Sequence, residues 1–311
     1  MTAFTFSVLY LALLFFAAGC VVRAVMYAKQ PLHLRWEIYP VPHEEPSRVK
    51  HGGSYFEELN WWKGSHKSYM AGELKVMVPE MLFLKALFEF NRPMWLRSFP
   101  FHFGLYLMIG TCGLLVAAAL LGIWAPALMA GGLGVALHAL YMAAGIAGTA
   151  MALIGALLLL VARLTDDKLK TYTVAGDIFN LVFFIAAFGV LAAGYLTRGE
   201  GAPGPAAIVA GLLKFQTNME MPPLMAAGLV LCGLLAAYIP CTHMSHFVGK
   251  YFTYHSVRWN DAVNMPGSSI EKKLMEYLTY KPTWSSPHVT ADGKRSWAEV
   301  ATTNPWQGEK K

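Results

Sequence analysis

Along most of its length the chain shows apolar blocks with no polar face. Between Arg97 and Arg163 stand 65 consecutive residues without Asp, Glu, Lys or Arg, and residues 1–22, 178–197 and 221–249 are equally free of them. A surface helix of a soluble domain returns a polar position on every turn, and these blocks do not. A bilayer core of ~30 Å takes about 20 apolar residues of helix, each rising about 1.5 Å. The pattern predicts five spans: Phe4–Tyr27, Ser98–Leu121, Gly132–Ala162, Val174–Leu196 and Pro222–Val248. The longest block holds two of them, because Trp124, Pro126 and the Gly131-Gly132 pair mark a turn inside it. The expected fold class is all-α integral membrane, a five-transmembrane-helix bundle, and a soluble enzyme is excluded.

Composition agrees: 56% of residues are hydrophobic, 14% are charged, and the mean hydropathy is +0.42. Charge adds an orientation, because Lys and Arg collect on the cytoplasmic side. Residues 23–97 hold eleven of them, 163–177 three and 250–311 nine, against two on the other side, Arg198 and Lys214. The N-terminus is expected outside and the C-terminus in the cytoplasm. The organisation is then a first span (1–27), a cytoplasmic loop or cap (28–97), spans two to five (98–249) and a cytoplasmic tail (250–311). The pI near 9.0 follows from this bias and does not point to nucleic acid.

Ala17-Ala18-Gly19-Cys20 imitates a lipoprotein cleavage site. No positive charge precedes the apolar run, however, and apolar residues continue to Tyr27, so a retained anchor is the better reading. Cys20, Cys112, Cys232 and Cys241 all fall in spans without CxxC spacing. They read as small packing residues, not as an iron–sulfur or zinc site. The cap runs from Leu34–Pro40 through Gly52-Gly53 and Trp61-Trp62 to an amphipathic helix around Glu73–Phe90, and the tail carries Trp259, Trp284, Trp297 and Trp306. Two uses of these aromatics stay open: anchoring at the membrane interface, and docking of a soluble partner.

Ionisable side chains inside a bilayer are costly and functional by default, which singles out His102, His138, His243 and His246. His102 follows Arg97 by five residues, ~7 Å into the membrane; His246 precedes Lys250 by four, ~6 Å in, on a helix of opposite direction. Two imidazoles from different helices at one depth suit a six-coordinate haem b, with Arg97 and Lys250 placed where its propionates would emerge. Interhelical hydrogen bonding of the two rings, or snorkelling near the interface, is the plainer alternative. His243 sits about one turn deeper than His246. His138 precedes Arg163 by 25 residues, roughly 37 Å up the third span. It is too far to share a haem with His102, and a second haem, a quinone carbonyl or the outer surface are its three open roles. Glycines at 104, 110, 113, 228 and 233 suit either a flat macrocycle or close helix packing.

Three stretches support a family resemblance: Phe99-Pro100-Phe101-His102-Phe103-Gly104 opening the second span, Ile239-Pro240-Cys241-Thr242-His243-Met244-Ser245-His246 closing the fifth, and the five-span N-out plan. The chain resembles the cytochrome b (gamma) subunit of respiratory nitrate reductase and its relatives. Trp36–Glu44 and Lys250–His255 narrow this to the membrane cytochrome b subunits of heterodisulfide-reductase-like and transmembrane redox complexes of sulfate-reducing bacteria. The resemblance implies a proximal haem held by His102 and His246 as metal ligands. It implies a second, outer haem whose ligand positions here are Cys112 and Gly228, so that both ligands are missing and His138 is the spare histidine.

It further implies a multi-pass subunit of the bacterial cytoplasmic (inner) membrane. That subunit would pass electrons between menaquinone, a diffusible substrate, and a cytoplasmic iron–sulfur subunit, with a periplasmic multihaem cytochrome c as an open further partner. No separate catalytic residue is expected; the chemistry would belong to haem and quinone. The rival expectations are a haem-free membrane anchor that recruits redox partners, and a small transporter. Against the latter stand the lack of an inverted repeat and of buried charges.

Overall fold

The computed structural model describes residues 1–30, 41–284, 289 and 291–304. The Trp36–Pro40 part of the motif and Trp306 lie outside the described residues. Five helical segments are long and apolar enough to cross a membrane: α1 (Thr2–Ala28), α2 (Arg92–Trp124), α3 (Gly132–Thr165), α4 (Ala175–Leu196) and the span Pro223–Cys241, made of α5 (Pro223–Tyr238) and the 3₁₀ turn that follows it. No regular sheet occurs among the described residues. The fold is therefore all-helical and compatible with a multi-pass membrane bundle.

Helix ends follow local chemistry. α2 starts six residues before the expected Ser98, because Asn91 Oδ1 accepts the Met94 N–H at 3.2 Å and Pro93 occupies the first turn. The turn at 124–131 forms as expected, with a short helix at Pro126–Met129. The fifth span differs from the single helix expected over Pro222–Val248. α5 stops at Tyr238 and is followed by 3₁₀ turns at Ile239–Cys241 and His243–Ser245, with Thr242 extended between them. A new helix begins at His246 and runs to Phe252. Pro240 is the cause: it has no N–H to give the preceding turn, and its ring crowds the carbonyl four residues back.

The chain divides into two compact units: Met1–Val22 with Tyr69–His246, and Arg23–Ser68 with Phe247–Lys311. The expected cap 28–97 is thus split near residue 68. In the first unit the helices touch through small residues, as membrane helices do when there is no water to expel. A Cβ on Gly155 of α3 would lie 2.2 Å from Phe101 N of α2, and one on Gly104 would lie 2.4 Å from Ala152 N. Gly194 and Gly228 join α4 to α5 in the same way, against Met225 and Leu191. Phe101, Ala152, Ala156, Phe184, Phe188 and Leu235 form the shared core of α2 to α5. α1 packs on α5, with Leu9 and Ala12 against Gly233. A helix at Pro205–Leu213, in the connection between α4 and α5, places Ile208 in a second core with Phe6, Met221, Met225 and Ala226.

The second unit is built on what the sequence marks as motif. Glu44 is buried and accepts from Ser54 Oγ at 2.5 Å and from the Tyr55 N–H at 3.2 Å. His43 Nε2 meets Asp261 Oδ2 at 2.5 Å. Tyr254 and Trp259 are buried with ring centroids 4.7 Å apart. Trp259 is therefore a core residue here, whereas Trp62 and Trp284 remain exposed.

Candidate functional site

The His102 and His246 rings come together with centroids 6.3 Å apart and an interplanar angle of 61°. α2 supplies the first and the helix starting at His246 supplies the second. The close backbone approaches of the bundle run α2 to α3, α3 to α4 and α4 to α5.

Each ring is oriented by one backbone carbonyl. His102 Nδ1 lies 2.9 Å from Ser98 O and 3.2 Å from Ser98 Oγ. His246 Nδ1 lies 3.2 Å from His243 O. A carbonyl oxygen only accepts, so in both rings Nδ1 carries the proton and Nε2 holds the lone pair. Metal-ligating histidines are commonly fixed in this way, with the second nitrogen donating to a carbonyl.

A histidine–metal bond of about 2 Å and a ring nitrogen about 1.1 Å from the ring centre, from bond lengths near 1.35 Å, put two imidazoles trans across one metal about 6 Å apart, centre to centre. The observed spacing matches. Two rings sharing one such axis can be rotated about it by any angle, so 61° is equally compatible. Among the described residues no hydrogen bond joins the two rings, which weakens the plainer reading of a directly bonded histidine pair. His102 and His246 are thus the residues that would hold a haem iron, and their ring spacing is compatible with one metal ion between them.

The other expected site residues are placed differently. His243 is exposed, on the 3₁₀ turn and not on one helical face with His246, and its Nε2 lies 3.6 Å from Asp177 Oδ1. Asp177 Oδ2 in turn accepts from Arg163 Nη1 at 3.1 Å. Arg97 pairs with Asp166 at 3.6 Å. Lys250 belongs to the second unit, where its Nζ lies 5.3 Å from the Tyr254 ring centroid. His138 is exposed near the start of α3, edge-on to Tyr141 at 5.2 Å, and no other histidine approaches it among the described residues. Of the glycines, 104, 228 and 233 meet neighbouring helices, while 110 and 113 face open space. Gly228 packs against the α4 backbone, so that position is filled by helix contact.

Ser98, Asp177 and Arg163 were not singled out by sequence. Ser98 was legible in principle, four residues before His102 on a helix, where its carbonyl is within reach. The Arg163–Asp177–His243 line joins three elements and had no sequence signal. The four cysteines form no disulfide, and among the described residues no group of three or more His, Cys, Asp or Glu could hold a metal ion. The chain matches no family model, no curated protein and no solved structure.

Proposed function

We propose that this protein is a haem b-binding membrane subunit that carries electrons, with His102 and His246 as the axial ligands. The observation that supports this most is the 6.3 Å separation of two imidazoles whose Nδ1 atoms are both engaged by backbone carbonyls. When bound, haem b would supply one-electron chemistry at a potential set by its axial ligands and surroundings. The chain's own contribution is to hold both rings in one tautomer, with Nδ1 of each on a backbone carbonyl; His102 is half-buried on α2 and His246 is exposed at the start of its helix. Arg97 would lie on the side where propionates reach water, but its charge is already paired with Asp166.

The wider role follows the family resemblance. The subunit would link a menaquinone pool in the bacterial inner membrane to an iron–sulfur subunit on the cytoplasmic side, with N-terminus outside and C-terminus inside. Neither His138 nor His243 is assigned to quinone in this reading. A haem-free anchor is the alternative, and one spectrum separates the two. Protein purified in detergent from cells with ample haem should give a dithionite-reduced b-type α band. That band should be lost in both His102→Ala and His246→Ala and retained in His138→Ala. One haem per chain by pyridine haemochrome is expected; absence of haem from the parent protein would sink the reading.

A further inference from the structure

The segment between the cap and α2 folds as two short helices, Met70–Leu82 and Lys85–Phe90, with Leu84 between them in the left-handed region at φ 52°. Neither helix has a single buried residue, yet their sequence is largely apolar. Met70, Leu74, Phe83 and Phe90 are 69, 52, 52 and 85% exposed. That much apolar surface in water would be an aggregation liability.

Two hydrogen bonds tether this hairpin to α2. Tyr106 Oη donates to Met81 O at 2.7 Å, and Trp95 Nε1–H donates to Phe83 O at 2.8 Å. Tyr106 is nine residues past Arg97 on α2, ~13 Å along the span. Helical side chains lean toward the N-terminus, so its hydroxyl returns by about a turn, to roughly the level of His102. The Met81 carbonyl is therefore held inside the apolar zone of α2, beyond its last charge.

Three of the hairpin's charged groups have local partners. Glu80 Oε2 accepts the Ala86 N–H at 3.3 Å, which caps the second helix, and Lys85 lies 3.7 Å from Glu89. A stacked aromatic ladder on α2, Trp95 on Phe99 at 4.7 Å and Phe99 on Phe103 at 5.2 Å, continues the same surface into the bilayer. Phe88 abuts Trp95 at 5.0 Å.

We infer that residues 70–90 are a membrane-interface hairpin whose apolar face is covered by lipid at the headgroup–acyl boundary, tethered to α2 through Tyr106 and Trp95. Amphipathic elements of this kind bury their apolar face ~5–10 Å below the headgroups, which is the depth the Tyr106 tether gives to the Met81 carbonyl, while the Trp95 tether holds Phe83 at the boundary marked by Arg97. The bilayer is the occupant because this face is continuous with the exposed apolar face of a membrane-length helix. The inference does not depend on haem.

The test uses the unmodified full chain in vesicles of phosphatidylethanolamine and phosphatidylglycerol, doped with a phospholipid bearing a diazirine on its acyl chain. After irradiation, adducts are mapped by peptide mass spectrometry, and a parallel sample is footprinted with hydroxyl radicals from the water side. Adducts across Leu74–Phe83, within about twofold of those on the exposed Leu11 and Leu14 of α1, with low radical labelling, are the expected result. No lipid adducts with strong radical labelling would overturn the inference. Protection from both probes would overturn it as well, since a polypeptide would then cover the face.

Discussion

At the scale of single residues, the chemistry of the candidate site rests on which nitrogen of each imidazole carries the proton. Both Nδ1 atoms face carbonyls, and this leaves the lone pair of each ring on Nε2. Ser98 needs only its backbone for this, so the side chain is a minor partner. Titration matters elsewhere, in the tail. Glu299 is held below the usual carboxylate range, first by the Ser296 N–H at 2.6 Å and then by the Ser296 hydroxyl. A carboxyl whose folded pKa is depressed stabilises the fold above its unfolded pKa and loses that contribution as pH falls through the folded value. The helix Trp297–Thr302, capped by this reciprocal Ser296–Glu299 pair, should hold at neutral pH and fray below the carboxylate range. Glu299→Gln should flatten that acid dependence, read from amide exchange of residues 296–299. An acid transition unchanged by the substitution would remove Glu299 as its cause.

At the scale of helices, packing density decides which small residues are indispensable. Gly155 and Gly110 are both glycines of long apolar helices, and nothing in the sequence ranks them. Gly155 faces the Phe101 backbone at 2.2 Å from its notional Cβ, whereas Gly110 has nothing within 4 Å. Gly155→Ala must push α2 and α3 apart, close to His102, at a cost of about 1–3 kcal/mol typical of overpacking. Gly110→Ala should be near neutral. Thermal unfolding in detergent distinguishes them, and equal transition temperatures would show that the α2–α3 contact is looser than described. The expected amphipathic helix around Glu73–Phe90 forms as two pieces, because the chain turns at Leu84.

At the scale of the molecule, the charge bias predicts a sidedness that the helices alone do not express. Twenty-three of 25 Lys and Arg residues lie in 23–97, 163–177 and 250–311, the segments that should face the cytoplasm. Protease added to inside-out vesicles should remove the tail after Lys250, and protease added to right-side-out vesicles should leave it intact. The opposite pattern would reverse the topology and place the His102–His246 pair near the outer surface.

The sequence by itself determined that the chain is a helical membrane protein with five spans, because the absence of charge over twenty residues is a one-dimensional property that the bilayer reads directly. It also placed His102 and His246 at one depth, since rise per residue converts count into distance. The tertiary structure decided what counting cannot reach. It ended α5 at Tyr238 through Pro240, paired His243 with Asp177, and split the cap between two units. It spent Gly104 and Gly228 on helix contacts and bent the segment 70–90 back onto Tyr106. Each of these depends on which helix faces which, and that is set by contacts between residues far apart in the chain, where periodicity carries no information.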